Sequence, residues 1–418
     1  MENQNIYLLN DSFPPLIDGV SNTVKNYAEE LKKAGQCPFV FTPKMEGMHD
    51  EDFPYPVIRY PSIDTTKQIG YYVGIPVAKK ILDTVAENPP ALMHCHCPTV
   101  SLLLARSIRS YRRAPIVFTY HTKFDVDIRR MLKTNLSQEA TIKAMVDLIS
   151  SCEEVWTVSH GAGENLKSLG FQGDYVVMEN GVDIPKGRMS NEEIRKVSAE
   201  YQLEDGVPFF LFVGRMEWYK GQKIILDALS YLKMTGKSFR MLFVGGGQDF
   251  EEIKAYSESL GLQKECTFAG PVRDRGKLKA IYCRADLFLF PSDYDTNGLV
   301  VREAAASSLA SVLLTGSCAA EGVTDGRNGF LIDETPQSLF AKLYELIDRV
   351  PFLHEVGAAA ADELYISWQS AVRKAADRYE IVKENYQAGR YEPHTLTDQA
   401  IAMQKKLLDF FRGDDDEA

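Results

Sequence analysis

Basic charge is in short supply in this 418-residue chain: 47 lysines and arginines stand against 58 aspartates and glutamates, a net charge of −11 with histidine neutral. A protein that grips a nucleic-acid backbone over its whole surface carries the opposite balance, so that class is excluded. Long apolar runs are missing too, and none reaches the ~20 residues of a membrane-spanning helix. The seven cysteines are an odd number in a long chain, which fits reduced thiols in a cytoplasm better than a disulfide framework. The opening MENQNIYLLNDSF has neither a basic first segment nor a small-residue cleavage pattern. The expectation is a cytoplasmic protein without a secretory leader. Low-complexity segments and short-period repeats are absent as well. What is present, 45% hydrophobic and 25% charged residues, is the balance of a globular enzyme with more than one domain.

Short apolar runs alternate with longer amphipathic stretches, the pattern of parallel sheets wrapped by helices. NIYLLN, PFVFTP, ALMHCHC, PIVFTYHT and EVWTVS read as strands in the first half. The theme restarts near residue 205 with PFFLFVGR, RMLFVGGG, CTFAG, LFLFPS and SVLLTG. The expected architecture is α/β, with two Rossmann-like doubly wound domains. Residues 1–184 form the first and 185–369 the second, with a polar seam at 184–204. The helical residues 370–418 pack back on the first domain.

In open α/β sheets ligands sit beyond the carboxyl ends of the strands, so the loops there are the candidates. After the first strand, Gly19 stands at the start of a helix whose amides suit a phosphate; a plain turn glycine fits equally. After PFFLFV, Arg215 and Lys220 place two cations on one rim, suited to a diphosphate whose charge grows as it leaves, or to two solvated surface charges. Gly246 lies in a three-glycine run that suits close backbone approach to a ligand, although it lacks the spacing of a dinucleotide fingerprint. After LFLF, the segment PSDYDTNGLVVREAAA turns at Asn297-Gly298. It sets Asp295 ahead of a helix that begins near Leu299 and carries Glu303. Two carboxylates flanking helix amides suit sugar hydroxyls and phosphate together; a capping aspartate with a helix glutamate is the bland alternative. In the first half His121 follows a strand end, where it can serve as a proton or hydrogen-bond partner. In MHCHC, His94 and His96 share one face of a strand and Cys95 and Cys97 the other, so neither pair completes a tetrahedral metal site.

Together these loops resemble family four of the retaining GT-B glycosyltransferases. VGRMEWYKG is similar to that family's GR-x4-KG element, and PSDYDTNGLVVREAAA to its E-x7-E motif, with Asp295 in place of the first glutamate. ENGVDI, DGRNGFLI and SWQSAVRKAADRYEIV resemble its linker signature, its closing loop and its tryptophan-bearing return helix. The resemblance implies two domains facing across a cleft, with the donor mainly on the second and the acceptor on the first. It implies Arg215 and Lys220 on the donor diphosphate, Glu303 on the ribose, Asp295 on the sugar hydroxyls, and the amides around Gly298 and Leu299 on donor oxygens. Asn297 and Gly246 join that donor set. Gly19 matches the glycine near the diphosphate, although Asp18 replaces its usual glycine neighbour. His121 matches the histidine near the transferred sugar.

The implied reaction moves a hexosyl unit, glucose in the first instance, from a nucleoside-diphosphate sugar with retention. UDP-glucose is the expected donor, no cofactor is called for, and no nucleic acid is a partner. Asp293-Tyr294-Asp295 and Asp125-Val126-Asp127 both match a manganese-binding D-x-D. The paired cations nevertheless offer charge compensation, so no metal is expected. Residues 101–150 carry nine basic side chains against four acidic ones, a patch suited to an anionic membrane or to solvent. AIAMQKKLLDFF near the C-terminus is a candidate interfacial helix or a packed one. Relatives that glycosylate diacylglycerol share the TYHT segment, which makes a lipid acceptor and peripheral contact with the inner membrane face the leading expectation. The alternatives are a transferase with a carbohydrate or small-metabolite acceptor, a GT-B epimerase or phosphorylase, and a non-catalytic sugar-nucleotide binder.

Overall fold

The computed structural model describes residues 4–16, 18–66 and 71–391. The chain divides into two compact units, Met1–Asn180 with Trp368–Ala418, and Gly181–Ser367. These limits fall a few residues before those expected from the polar seam. The seam itself is partly helical: Asn191–Glu200 starts from a capping box in which the Ser190 hydroxyl and the Glu193 carboxylate satisfy each other's backbone amides, so a run that reads as turn-rich is locally well encoded.

In the first unit the strands are β1 (Asn5–Leu9), β2 (Cys37–Pro43), β3 (Val57–Tyr60), the short pair β4 (Ser62–Asp64) and β5 (Tyr72–Gly74), β6 (Leu92–Cys95), β7 (Ile116–Tyr120), β8 (Glu154–Thr157) and β9 (Tyr175–Val177). Seven of them form one parallel sheet in the order β3-β2-β1-β6-β7-β8-β9, and β4 and β5 make a separate antiparallel ribbon. Strands β1, β6 and β7 are buried almost throughout, as expected for a sheet covered on both faces. The helix Trp368–Gln387 belongs to this unit. Its Tyr379 ring stacks on Trp156 with centroids 5.4 Å apart, and Arg378 forks onto the Glu154 carboxylate at 3.0 Å from Nε to either oxygen. Residues 392–418, which hold the AIAMQKKLLDFF stretch and the acidic tail, lie outside the described residues.

In the second unit β10 (Phe209–Val213), β11 (Arg240–Val244), β12 (Cys266–Gly270), β13 (Leu287–Phe290), β14 (Ser311–Leu314) and β15 (Phe330–Ile332) form a parallel sheet ordered β12-β11-β10-β13-β14-β15. The five strands read from the apolar runs are all there. The sixth, β15, is three residues long, too short to carry a period. The order runs outward from β10 in one direction and from β13 in the other. That reversal makes the gap beyond the carboxyl ends of β10 and β13 the switch point, and β1 and β6 define the same point in the first sheet. The fold is α/β with two Rossmann-like sheets.

Candidate active site

At the second unit's switch point, the loop after β10 is pinned against the end of β13. Gly221 has φ +85°, and a Cβ on it would lie 2.1 Å from the Pro291 carbonyl oxygen, so only glycine permits the approach. The approach sets Lys220 at the end of the short turn Trp218–Lys220, with its ammonium 2.9 Å from Asp295 Oδ1. The Lys220 side chain is 8% exposed, a burial that an ammonium tolerates only when paired. The faces of Tyr219 and Tyr294 lie 5.4 and 5.1 Å from the ammonium and add cation–π attraction. Asp295 Oδ2 accepts from the Ser292 hydroxyl at 2.7 Å. Arg215, at the strand end, is exposed, and its carbonyl accepts from the Gln222 amide.

Glu303 is buried in the next helix, Leu299–Ala306. Its Oε1 accepts from Arg275 at 2.9 Å and its Oε2 from the Tyr282 hydroxyl at 3.1 Å, while Arg275 also donates to Asp183 at 3.0 Å. Burial pushes the Glu303 carboxyl above the usual carboxylate range, and the Arg275 cation opposes that shift. Asp183 comes from the NGVD segment, so that signature reaches the same carboxylate cluster through Arg275. Asn297 is buried, with Oδ1 accepting from Arg302 and Nδ2 without a partner among the described residues. Gly298 is left-handed at φ +60°, and a Cβ there would come within 2.8 Å of the Ala319 Cβ.

Both helices that start at this switch point, Gln222–Met234 and Leu299–Ala306, begin on left-handed glycines and carry no side-chain cap. Neither helix start is closed by a side chain of the residue before it, which leaves the positive ends of their dipoles suited to an anion. The glycine run read around Gly246 has a different explanation. A Cβ on Gly245 would fall 1.8 Å from the Gly214 carbonyl oxygen, and one on Gly247 2.3 Å from that of Met216. Two of the three glycines thus serve backbone packing, and only Gly246 lacks such a backbone neighbour.

The first unit's switch point is built otherwise. Gly19 opens the helix Gly19–Lys33, but Asp18 caps it, Oδ1 accepting from the Val20 and Ser21 amides at 2.8 and 2.7 Å. The amides expected to face a phosphate are already committed. Asp11, just after β1, closes the second helix, Val100–Arg112, by accepting from the Val100 and Ser101 amides at 3.2 and 2.8 Å. Between these helices lie three buried histidines. His94 bonds to the Tyr379 hydroxyl and to Thr119, and His96 Nδ1 lies 2.9 Å from His121 Nε2. His94 and His96 do share one face, with ring centroids 4.0 Å apart. Burial lowers the pKa of all three, that of His121 to about 3. Among the described residues no group of three or more His, Cys, Asp or Glu side chains is arranged to hold a metal ion.

Sequence reasoning brought Arg215, Lys220, Asp295, Asn297, Gly298, Leu299 and Glu303 to one loop cluster, and the structure places them around one switch point. It missed Tyr219, Tyr294 and Ser292, although each stands within three residues of a predicted one. Arg275 and Tyr282, on the helix Arg275–Arg284, carry no motif that would have drawn attention. The basic segment 101–150 is partly consumed inside the fold: Arg106 is buried, and Arg109 pairs with Glu153 at 2.6 Å.

Two Rossmann-like sheets, one with a cationic switch point backed by carboxylates, form an arrangement suited to binding a nucleotide sugar. Two family models match the chain, one described as Glycosyltransferase Family 4 over residues 17–186 and one as Glycosyl transferases group 1 over residues 193–362. The chain belongs to glycosyltransferase family 4, has the GT-B fold, and is a retaining hexosyltransferase that uses a nucleotide sugar. It is 22% identical to the alpha-monoglucosyldiacylglycerol synthase of Streptococcus pneumoniae, over 72% of this chain and 69% of that protein. It is 25% identical to the sulfoquinovosyl transferase SQD2 of Arabidopsis thaliana, over 86% and 69%. Among solved structures, Anabaena Alr3699/HepE in complex with UDP and glucose superposes with a TM-score of 0.71 at 18% identity, covering 90% of this chain and all of that one.

Proposed function

We propose that this protein transfers glucose from UDP-glucose to diacylglycerol at a membrane surface, with retention at the anomeric carbon and without a metal. The donor half of this reading is carried by one observation: both switch-point helices of the second unit start open, beside a buried ammonium, whereas both in the first are closed by aspartates. A diphosphate dianion is stabilised by open helix starts and cations, and is repelled by Asp11 and Asp18.

In this reading Arg215 and Lys220 hold the diphosphate, with the amides around Gly298 and Leu299 on its oxygens and Gly246 and Asn297 close by. Glu303 takes the ribose hydroxyls with lone pairs not used by Arg275 and Tyr282. Asp295 orients Lys220 and keeps acceptor capacity for a sugar hydroxyl. His121 serves the transferred sugar, while Gly19, whose helix start Asp18 already closes, takes no part in this reading. The bond from anomeric carbon to phosphate oxygen breaks on the face where the acceptor hydroxyl attacks, and the departing phosphate oxygen takes the hydroxyl proton. The cations matter most in the transition state, when charge accumulates on the diphosphate.

The acceptor half is supported by relatives named for diacylglycerol, from Streptococcus pneumoniae and Acholeplasma laidlawii, and by the surface of the first unit. Met131 and Leu136 are 52% and 81% exposed and sit among exposed Arg129, Lys133 and Lys143. Ile63 and Val73 are exposed on the β4–β5 ribbon. Apolar tips within basic charge suit an anionic interface. No described helix is long and apolar enough to cross a membrane, and peripheral contact is the mode proposed. The test is incubation with radiolabelled UDP-glucose and vesicles of dioleoylglycerol in anionic lipid, in excess EDTA. Labelled α-glucosyl lipid is expected. Turnover confined to soluble acceptors would overturn the lipid assignment, and loss of turnover that manganese restores would overturn the metal-free one.

A further inference from the structure

The carboxylate cluster of the second unit is held by a residue that no motif marks. Arg275 opens the helix Arg275–Arg284. A single nitrogen of its guanidinium, Nη2, reaches both Glu303 Oε1 at 2.9 Å and Asp183 Oδ2 at 3.0 Å. The two carboxylates therefore face each other across one cation. On its other oxygen Glu303 accepts from the Tyr282 hydroxyl at 3.1 Å, and Tyr282 is fully buried, so the core fixes that side of the carboxylate. Arg275 is half-exposed and is replaceable at less cost to packing. A carboxylate oxygen carries two acceptor sites. With one bond made at each oxygen among the described residues, Glu303 keeps one site on Oε1 and one on Oε2. Two acceptor sites side by side on one planar group suit two adjacent hydroxyls.

We propose that Arg275 is a positioning residue. By spanning Asp183 and Glu303 through one nitrogen, it holds the Glu303 carboxylate with an acceptor site open on each oxygen, ready for the two adjacent hydroxyls of the donor ribose. This rests on the reading that Glu303 takes the ribose, and it adds what keeps Glu303 able to do so. The groups that face Glu303 are Arg275 and Tyr282, from one helix, and Asp183, from the NGVD segment. Burial, first of all, and the Asp183 charge push the Glu303 carboxyl upward; the Arg275 cation and the Tyr282 hydroxyl oppose them. Without the guanidinium, two like charges share one site, and one of them takes up a proton. A proton on either Glu303 oxygen fills one of the two acceptor sites, and the pair of ribose hydroxyls is no longer matched. The grip on the ribose is thus present above the Glu303 pKa and is lost as the pH falls through it. Arg275 sets where that loss begins.

The arrangement is testable without a ligand. In the full chain labelled with ¹³C-glutamate, the Glu303 carboxyl carbon is assigned by difference against Glu303→Gln and titrated. Arg275→Met should move its midpoint to higher pH, and Arg275→Lys, which returns a cation, should bring it back toward the wild type. An unchanged midpoint in Arg275→Met overturns the proposal. The role in binding is tested by calorimetry with UDP and its 2′,3′-dideoxy analogue, because the ratio of the two affinities cancels the titration of the phosphate. The wild type should prefer UDP about tenfold or more at about pH 8. In Arg275→Met that preference should shrink to within about threefold by about pH 6, with the wild type and Arg275→Lys keeping more of theirs. Equal loss in Arg275→Met and Arg275→Lys at every pH means a purely structural arginine and overturns the positioning role. Should the wild type show no preference while the Glu303 midpoint shifts as expected, the ribose reading of Glu303 fails and the hold of Arg275 on the carboxylate stands.

Discussion

The two sheets share a strand order but treat their switch points in opposite ways. In the first unit the two helix starts are closed by Asp11 and Asp18, and the strands' ends nearby carry buried imidazoles in separate hydrogen bonds, His94 with Tyr379 and Thr119 and His96 with His121. In the second unit the helix starts are left open by Gly221 and Gly298, and the two buried ionic groups, Lys220 and Glu303, are paired with the less buried Asp295 and Arg275. One backbone plan thus yields a switch point with aspartate-closed helix starts and a switch point with glycine starts beside a buried ammonium. The choice rests on a handful of capping residues and not on the fold.

Removing a cation from the second unit attacks that contrast most strongly. Arg215→Ala should reduce turnover about 10²–10³-fold, read as kcat at saturating donor in a coupled UDP-release assay. A loss under tenfold would mean that the rim is not where charge develops. The Lys220–Asp295 pair separates stability from catalysis. Lys220→Met alone should cost about 2–3 kcal/mol in urea unfolding, less than a fully buried pair because the Asp295 side chain keeps 22% exposure. Adding Asp295→Asn should recover most of that stability and none of the activity.

The first unit should answer to pH instead. Its histidines have folded pKa values below those of the unfolded chain. Protons therefore bind the unfolded state preferentially once the pH drops below about 6.5. Stability is full above that pH and is lost as it falls, with His121, held at about 3, contributing about 2 kcal/mol of that loss at pH 5. Thermal melts should show the slope, and His94→Gln should reduce it. The smallest effect is expected at a cap: Asp11→Ala should destabilise by about 1–2 kcal/mol, while UDP binding stays within about twofold.

Much of this could be read from residue order. The strands of the second sheet are continuous apolar runs such as FFLFV and LFLF, which a buried parallel sheet requires, and the loops after them named Arg215, Lys220, Asp295 and Glu303. The helix caps were less legible. Asp18 was noticed only as a departure from a glycine pair, and Asp11 lies about 90 residues from the amides that it closes, a distance no local pattern spans. The Gly245–Gly247 run read as ligand approach because sequence cannot tell a ligand from a neighbouring carbonyl. The His96–His121 bond joins two strand ends, and only the β6–β7 pairing brings them together.

The most direct test of the open-versus-closed account is calorimetric titration of UDP into the wild type, Lys220→Ala and His121→Ala proteins, in EDTA. The account predicts that Lys220→Ala weakens binding about tenfold or more, roughly 1.4 kcal/mol, and that His121→Ala leaves it unchanged. Equal affinity in wild type and Lys220→Ala, or a loss confined to His121→Ala, would contradict it.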